Sequence, residues 1–409
     1  MSNQAVNKSI KKNTLFNMLK TCSSIVFPLI TFPYISRTLQ AENVGKINFG
    51  SSIISYFSLI ATLGITTHAI RECSAVREDK DQLGKTASQI YSINILTTLA
   101  AYILLAVLLA TYRKLDPYRY LIILQSLSIA CTTIGADWIN SSMEDFQYIT
   151  IRAIVFQLIS LILMFIFVHR PEDYMRYAVI SLISSSGVCL TNIIYRRKFC
   201  KIRFTLNIDW RRHIEPIVFL FVMILAQNIF NNIDSTMLGL MHGDRAVGIY
   251  SVAHKLSGIV FQIVASLLWV VIPRLSLYYA DADTEKLNSL LRKILGFNLT
   301  IGLPCVTGAI VLSQDIILVI SGPSYIEATP VLQILMIGLA FRFCGEAFLG
   351  NAILLPMKEE KTYMSICVVA AIINICTNYL LIPRFGVFAA AGTTAFCSFF
   401  RMSVYSFYM

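Results

Sequence analysis

Residues 14–36 read TLFNMLKTCSSIVFPLITFPYIS, with Lys20 as the single charge. As a helix this stretch crosses a bilayer, whose hydrocarbon core takes roughly 20 apolar residues. Comparable windows recur near 47–68, 88–110, 119–140, 150–168, 177–195, 215–236, 248–272, 293–313, 329–351, 362–382 and 386–408. The fold class expected is an all-α polytopic membrane protein of about twelve transmembrane helices. The whole chain agrees: of 409 residues 56% are hydrophobic and 14% charged, against roughly 25% charged in a soluble domain. A water-soluble globule is excluded, and the short connectors leave no room for a sizeable soluble catalytic module.

The formal charge of +11 would suggest nucleic acid as a partner in a soluble protein. In a membrane protein it follows from excess Lys and Arg in cytoplasmic loops, and no nucleic-acid partner is expected. Basic residues gather in alternate connectors: Lys8, Lys11 and Lys12; Arg71, Arg77, Lys80 and Lys85; then Arg196, Arg197, Lys198, Lys201, Arg203, Arg211 and Arg212. This places the N-terminus in the cytoplasm. The third cluster, at mid-chain, reads as a linker (196–214) between an N-lobe of six helices (1–195) and a C-lobe of six (215–409). It serves as a topological anchor or binds anionic lipid headgroups. Eight of the cysteines, among them Cys22, Cys189 and Cys397, sit in apolar runs without C-x-x-C spacing and read as core residues. No phosphate loop, G-x-S-x-G elbow, zinc spacing or dinucleotide fingerprint occurs. No catalytic residue, metal or organic cofactor is expected.

Two halves that begin and end on one side give a parallel repeat. Thr38-Leu39 and Asn43-Val44-Gly45-Lys46-Ile47 in the first half match Thr236-Met237 and Ala246-Val247-Gly248-Ile249-Tyr250 in the second.

Polar groups inside spans are costly and so informative. At helical spacing, helix 1 carries Asn17, Lys20 and Ser24, and helix 2 carries Asn48, Ser52, Ser55 and Thr62. Helix 7 carries Gln227, Asn231 and Asp234, and helix 8 carries Lys255, Gly258, Gln262 and Ser266. These helices hold equivalent places in the two halves, so their polar faces are expected to line a shared hydrophilic cavity, or else to hydrogen-bond between helices. Arg342 and Glu346, four apart, can pair. Asp137, Glu144 and Asp145 bind protons, gate the cytoplasmic side with Arg152, or cap helices. His68 and His254 are expected to be hydrogen-bonded structural residues.

Phe32-Pro33-Tyr34-Ile35-Ser36-Arg37-Thr38-Leu39, then Glu42-Asn43-Val44-Gly45-Lys46-Ile47-Asn48-Phe49, closely resembles the Wzx-type O-antigen and exopolysaccharide flippases of the multidrug/oligosaccharidyl-lipid/polysaccharide exporter (MOP) superfamily. The resemblance continues through Arg71-Glu72, Asp137-Trp138, Glu144 to Arg152 and Asp234 to Gly239, and ends in Ile382-Pro383-Arg384-Phe385-Gly386-Val387. It implies a twelve-helix, two-lobed, MATE-like transporter in a bacterial inner membrane. Its substrate would be an undecaprenyl-diphosphate-linked oligosaccharide, moved from the cytoplasmic to the periplasmic leaflet by alternating access. Membrane lipids and other polysaccharide assembly proteins are the further partners expected. A diphosphate calls for cations in a low-dielectric cavity: Lys20 and Lys255 first, then Arg37 and Arg342. Asp234 is the leading candidate for coupling to protons or sodium, with Asp137, Glu144, Asp145, Arg152 and Glu346 as further coupling or gate candidates. Gln40 departs from the family pattern, in which glycine is common there, and the turn is expected to differ. The rivals are a small-solute exporter, a lipid II flippase, and a membrane-embedded O-antigen polymerase or ligase.

Overall fold

Apolar side chains face outward along whole helices. On α3 (Lys80–Thr111), Leu99, Ile103, Leu104 and Val107 are each at least half exposed, an arrangement that water disfavours and lipid accepts. The computed structural model describes residues 3–281 and 283–408. The side chains of Lys8, Lys11, Lys12 and Ser266 lie outside the described residues. Among those described, the chain is helical with no strand, and ten helices are long and apolar enough to cross a membrane. The first of these, Leu15–Ala75, contains two of the spans expected from the sequence. The expected span at 119–140 is instead α4 (Arg119–Gly135), stopped by Ala136 in the left-handed conformation and followed by the short α5 (Trp138–Ser142). The chain is therefore a multi-pass membrane protein.

Two compact units interleave in sequence: Met1–Thr31 with Gly50–Asn228, and Phe32–Phe49 with Ile229–Met409. The long α1 (Asn3–Thr62) contributes to both and is broken at Gln40.

In the first unit, α2 (Ile65–Ala75), α3 and α5 meet in an apolar cluster of Ala69, Leu83, Ala87, Ile90, Trp138 and Ile139. The Asp79 carboxylate caps α3, accepting from the backbone N–H of Asp81 and Gln82 at 2.9 and 3.0 Å, as orphan amides at a helix start require. α6 (Phe146–Phe167) and α4 pack on α7 (Tyr174–Tyr195). The backbone freed by the break at Ala136 is satisfied by Asn192, whose Nδ2 donates to Gly135 O at 2.9 Å while its Oδ1 accepts from Asn140.

The second unit holds α9 (Asp244–Ala280), α10 (Thr284–Phe297), α11 (Leu303–Val311), α12 (Ser313–Ile320), α13 (Ala328–Arg342), α14 (Glu360–Phe385) and α15 (Val387–Tyr408). α8 (Trp210–Met241) starts in the first unit and ends in this one. α13 continues into a π-helix, Phe343–Leu354, a wide turn that recurs at functional sites. The sequence repeat has a structural counterpart here. Gln40 (φ 63°, ψ 173°) and Gly243 (φ 83°, ψ −176°) break the chain in the same conformation. Five residues on in each copy, a Cβ on Gly45 would lie 1.8 Å from Asp244 O, and one on Gly248 would lie 1.9 Å from Ala41 O. Two backbones touch, and glycine alone allows it.

Candidate substrate and ion site

Two buried polar clusters organise the second unit. In the first, Asp234 of α8 is 2% exposed. Its carboxylate accepts from the Tyr250 hydroxyl of α9, from Asn378 Nδ2 of α14 at 2.5 Å and from Thr394 Oγ1 of α15 at 2.5 Å. Asn378 Nδ2 also donates to Asn374 Oδ1 at 3.1 Å. Among the described residues Asp234 has no cation within ion-pair distance. A buried charge requires partners, and here the partners are three neutral hydrogen-bond donors.

In the second cluster Arg342 pairs with Glu346, as the four-residue spacing suggested, with Nε to Oε2 at 2.7 Å and Nη2 to Oε1 at 3.1 Å. A third member is Arg401 of α15, buried, whose Nη2 reaches Glu346 Oε2 at 2.9 Å. The guanidinium of Arg342 lies 3.9 Å from the Phe261 ring centre, and that of Arg401 lies 4.5 Å from Phe230. Glu346 thus holds two arginines, both seated on aromatic faces that favour cations.

The basic candidates differ in what already occupies them. Lys255 is exposed, its ammonium is 4.5 Å above the Phe32 ring, and it makes no ion pair among the described residues. Lys20 is exposed with Asn17 and Ser24 on one face of α1, likewise without an ion pair. Arg37 donates to the carbonyls of Val319 and, at 3.4 Å, Leu318, in the last turn of α12, whose final carbonyls lack partners within the helix. Among the polar residues expected from the sequence to line a cavity, Gln227, Asn231 and Gln262 are exposed, Asn48 is half-buried and Ser52 buried.

The acidic candidates of the first unit separate by partner. Asp137 binds Arg152 at 2.8 Å, and Arg152 also lies 4.8 Å from the Tyr148 ring centre. Glu144 pairs with Arg77 at 2.7 Å. Asp145 caps α6 through Tyr148 N and accepts the Tyr195 hydroxyl at 2.6 Å. His68 and His213 form a buried pair, Nε2 to Nδ1 at 2.8 Å. All ten cysteines are free. Cys200, in the connector after α7, is buried, and burial pushes its thiol upward.

Arg401, Tyr250, Asn374, Asn378 and Thr394 were not singled out from the sequence. The signal was present, because each is polar within an apolar span and Asn374 and Asn378 are four apart.

A family model described as polysaccharide biosynthesis protein matches residues 10–278. The chain belongs to this polysaccharide biosynthesis family. A second model, MatE, matches residues 220–380. Among curated members similar to this family chain, the "Putative O-antigen transporter" of Escherichia coli (strain K12) is 23% identical, over 94% of this chain and 93% of its own length. The "Capsular polysaccharide biosynthesis protein CapF" of Staphylococcus aureus is 24% identical, over 97% and 98%. Among solved structures, the lipid II flippase MurJ in an inward closed conformation aligns with TM-score 0.77 at 16% identity, covering 97% of this chain and 87% of MurJ. An inward-facing multidrug resistance MATE transporter of the MOP superfamily aligns with TM-score 0.70 at 14% identity, covering 97% and 93%. This polysaccharide biosynthesis protein thus has the two-lobed MOP fold.

Proposed function

We propose that the chain is a flippase that carries an undecaprenyl-diphosphate-linked oligosaccharide from the cytoplasmic to the periplasmic leaflet of a bacterial inner membrane. The observation that carries this reading is the family match over residues 10–278. The names of the curated relatives, one an O-antigen transporter and one a capsular polysaccharide biosynthesis protein, support it. Residues 1–195 and 215–409 would act as lobes joined by 196–214, with the N-terminus cytoplasmic, and exchange access between the two sides. Transport, not bond-breaking, is the activity.

Lys255 and Lys20 are the diphosphate ligands in this scheme, because both are exposed and neither forms an ion pair among the described residues. Arg37 and Arg342 are held by other groups and would serve after them. Asn17, Ser24, Gln227, Asn231 and Gln262 would hydrate the sugar. Asp234 is the ion-coupling group, binding a proton or sodium among donors that leave its charge unmatched. Glu346 is held between two cations, and its role is to fix α13 to α15. Other polysaccharide assembly proteins would act on the flipped product.

The test is the leaflet in which the lipid-linked repeat unit accumulates in a strain lacking this chain, read with a sugar-modifying probe that cannot cross the bilayer. Cytoplasmic accumulation relieved by restoring the chain is expected. Accumulation in the periplasmic leaflet would place the protein after translocation, among polymerases or ligases. Lys255→Ala should lower surface polysaccharide at unchanged protein level; unchanged polysaccharide would remove Lys255 from the site.

A further inference from the structure

Between the start of α3 and the connector that follows α7 lies a groove of about 970 Å³. Lys80, Lys85, Arg197, Lys198, Lys201 and Arg203 line it, against one carboxylate, Asp81. All six cations are exposed, and none forms an ion pair among the described residues. Like charges brought together repel, so a fixed excess of this size requires an anion or a high-dielectric surround.

The groove is held in shape by its own backbone. Arg203 N donates to Ser88 Oγ at 3.1 Å, Thr205 N to Ser92 Oγ at 2.8 Å, and Gln89 Nε2 to Asn207 O at 3.1 Å. Cys200 and Ile208 are buried in the same apolar cluster as Leu83 and Ala87. The connector is therefore pinned along α3 at both ends and in the middle. Beside the cations this stretch exposes the polar Asn207 and Asp209 and the apolar Phe204 and Leu206, followed by Trp210 at the start of α8; the three apolar groups are 50%, 77% and 46% exposed. A soluble anion would explain the cations but not the apolar groups. Cations beside exposed aromatic and aliphatic groups, at the end of two membrane-spanning helices, match a bilayer interface, where phosphates and acyl chains meet.

The geometry points to a binding site for the headgroup of an anionic phospholipid, with the phosphate between α3 and the connector and the acyl chains beside Phe204 and Leu206. Six cations against one carboxylate favour a headgroup with two phosphates over one with a single charge. This site lies outside the polar stripes assigned to the transported substrate.

The experiment uses the full chain, purified and delipidated in detergent, with diphosphatidylglycerol as the probe and binding counted by native mass spectrometry. Phosphatidylcholine and inorganic pyrophosphate are the comparators. Removing two surface cations at about 1 kcal/mol each, with 1.4 kcal/mol per tenfold, predicts that Lys201→Gln/Arg203→Gln weakens diphosphatidylglycerol binding about 25-fold. The exposed pair Arg292→Gln/Lys293→Gln, elsewhere on the chain, should leave it within about twofold. All four side chains are exposed, so folding is not at stake, and size-exclusion profiles should be unchanged. Equal binding by wild type and the groove variant would overturn the site, as would equal loss in both variants. Displacement of the lipid by equimolar pyrophosphate would overturn the lipid assignment in favour of a free phosphate compound.

Discussion

Glu346→Gln removes one negative charge from between a buried guanidinium, that of Arg401, and a partly exposed one, that of Arg342, and leaves side-chain volume almost unchanged. The wild-type carboxylate takes three N–H donors at 2.7, 3.1 and 2.9 Å, and its side chain and that of Arg401 are 8% and 7% exposed. Gln offers one acceptor oxygen in place of two, and it turns an NH₂ donor towards a cation. Breaking a buried pair by removing one partner costs about 3–5 kcal/mol, because the remaining charge stays desolvated. Here the Arg401 guanidinium stays buried while Arg342 keeps some access to solvent, so the lower to middle part of that range applies. Folding stability is itself only about 5–15 kcal/mol, and the loss should appear as a large drop in the temperature at which half the protein survives heating, read by size-exclusion chromatography in detergent. The same reasoning predicts rescue. Glu346→Gln/Arg401→Gln reduces the unmatched charge by one and should recover at least about 1 kcal/mol over Glu346→Gln alone, a coupling expected for contacting residues. A Glu346→Gln protein as heat-stable as wild type, or a double variant weaker than the single by the full cost of Arg401→Gln, would refute the account of the cluster as a charge-matched clamp.

Gln40 sits in a backbone region that is essentially reserved for glycine and costs other residues about 1–3 kcal/mol; Gln40→Gly should raise the melting temperature, and an unchanged or lower value would count against strain at this break. Gly248→Ala places a methyl 1.9 Å from Ala41 O, and overpacking of this kind costs about 1–3 kcal/mol or more; membrane-inserted protein should fall sharply, and wild-type yield and heat stability would show that the two backbones can part at little cost.

The spans were legible because hydropathy is additive along the chain, and each window announces itself without its neighbours. Breaks inside a span were less so: nothing in the apolar run around Ala136 marks the left-handed residue that ends α4. The repeat was legible at Val44-Gly45 and Val247-Gly248. Gln40 adopts the conformation that Gly243 adopts in the other copy. The polar stripes were read one helix at a time, and that limits what they reveal. Asp234 draws its partners from Asn378 and Thr394, two helices far along the chain, and Arg401 reaches Glu346 from the last helix. Spacing within a helix identifies Arg342 with Glu346; only tertiary packing supplies the third member.

The same spacing separates Gln40 from Gly243, Ala41 from Asp244 and Gly45 from Gly248. Gly45 meets Asp244, and Gly248 meets Ala41. Residue i therefore touches the counterpart of j, while j touches the counterpart of i, which is the reciprocity of a self-complementary two-fold interface. Two separate six-helix chains of one sequence would make this contact across a dimer axis, with one glycine codon serving both sides. A heavier residue at either glycine would meet backbone, not a side chain that can turn aside, so each of the two positions separately limits how closely one repeat segment lies on the other.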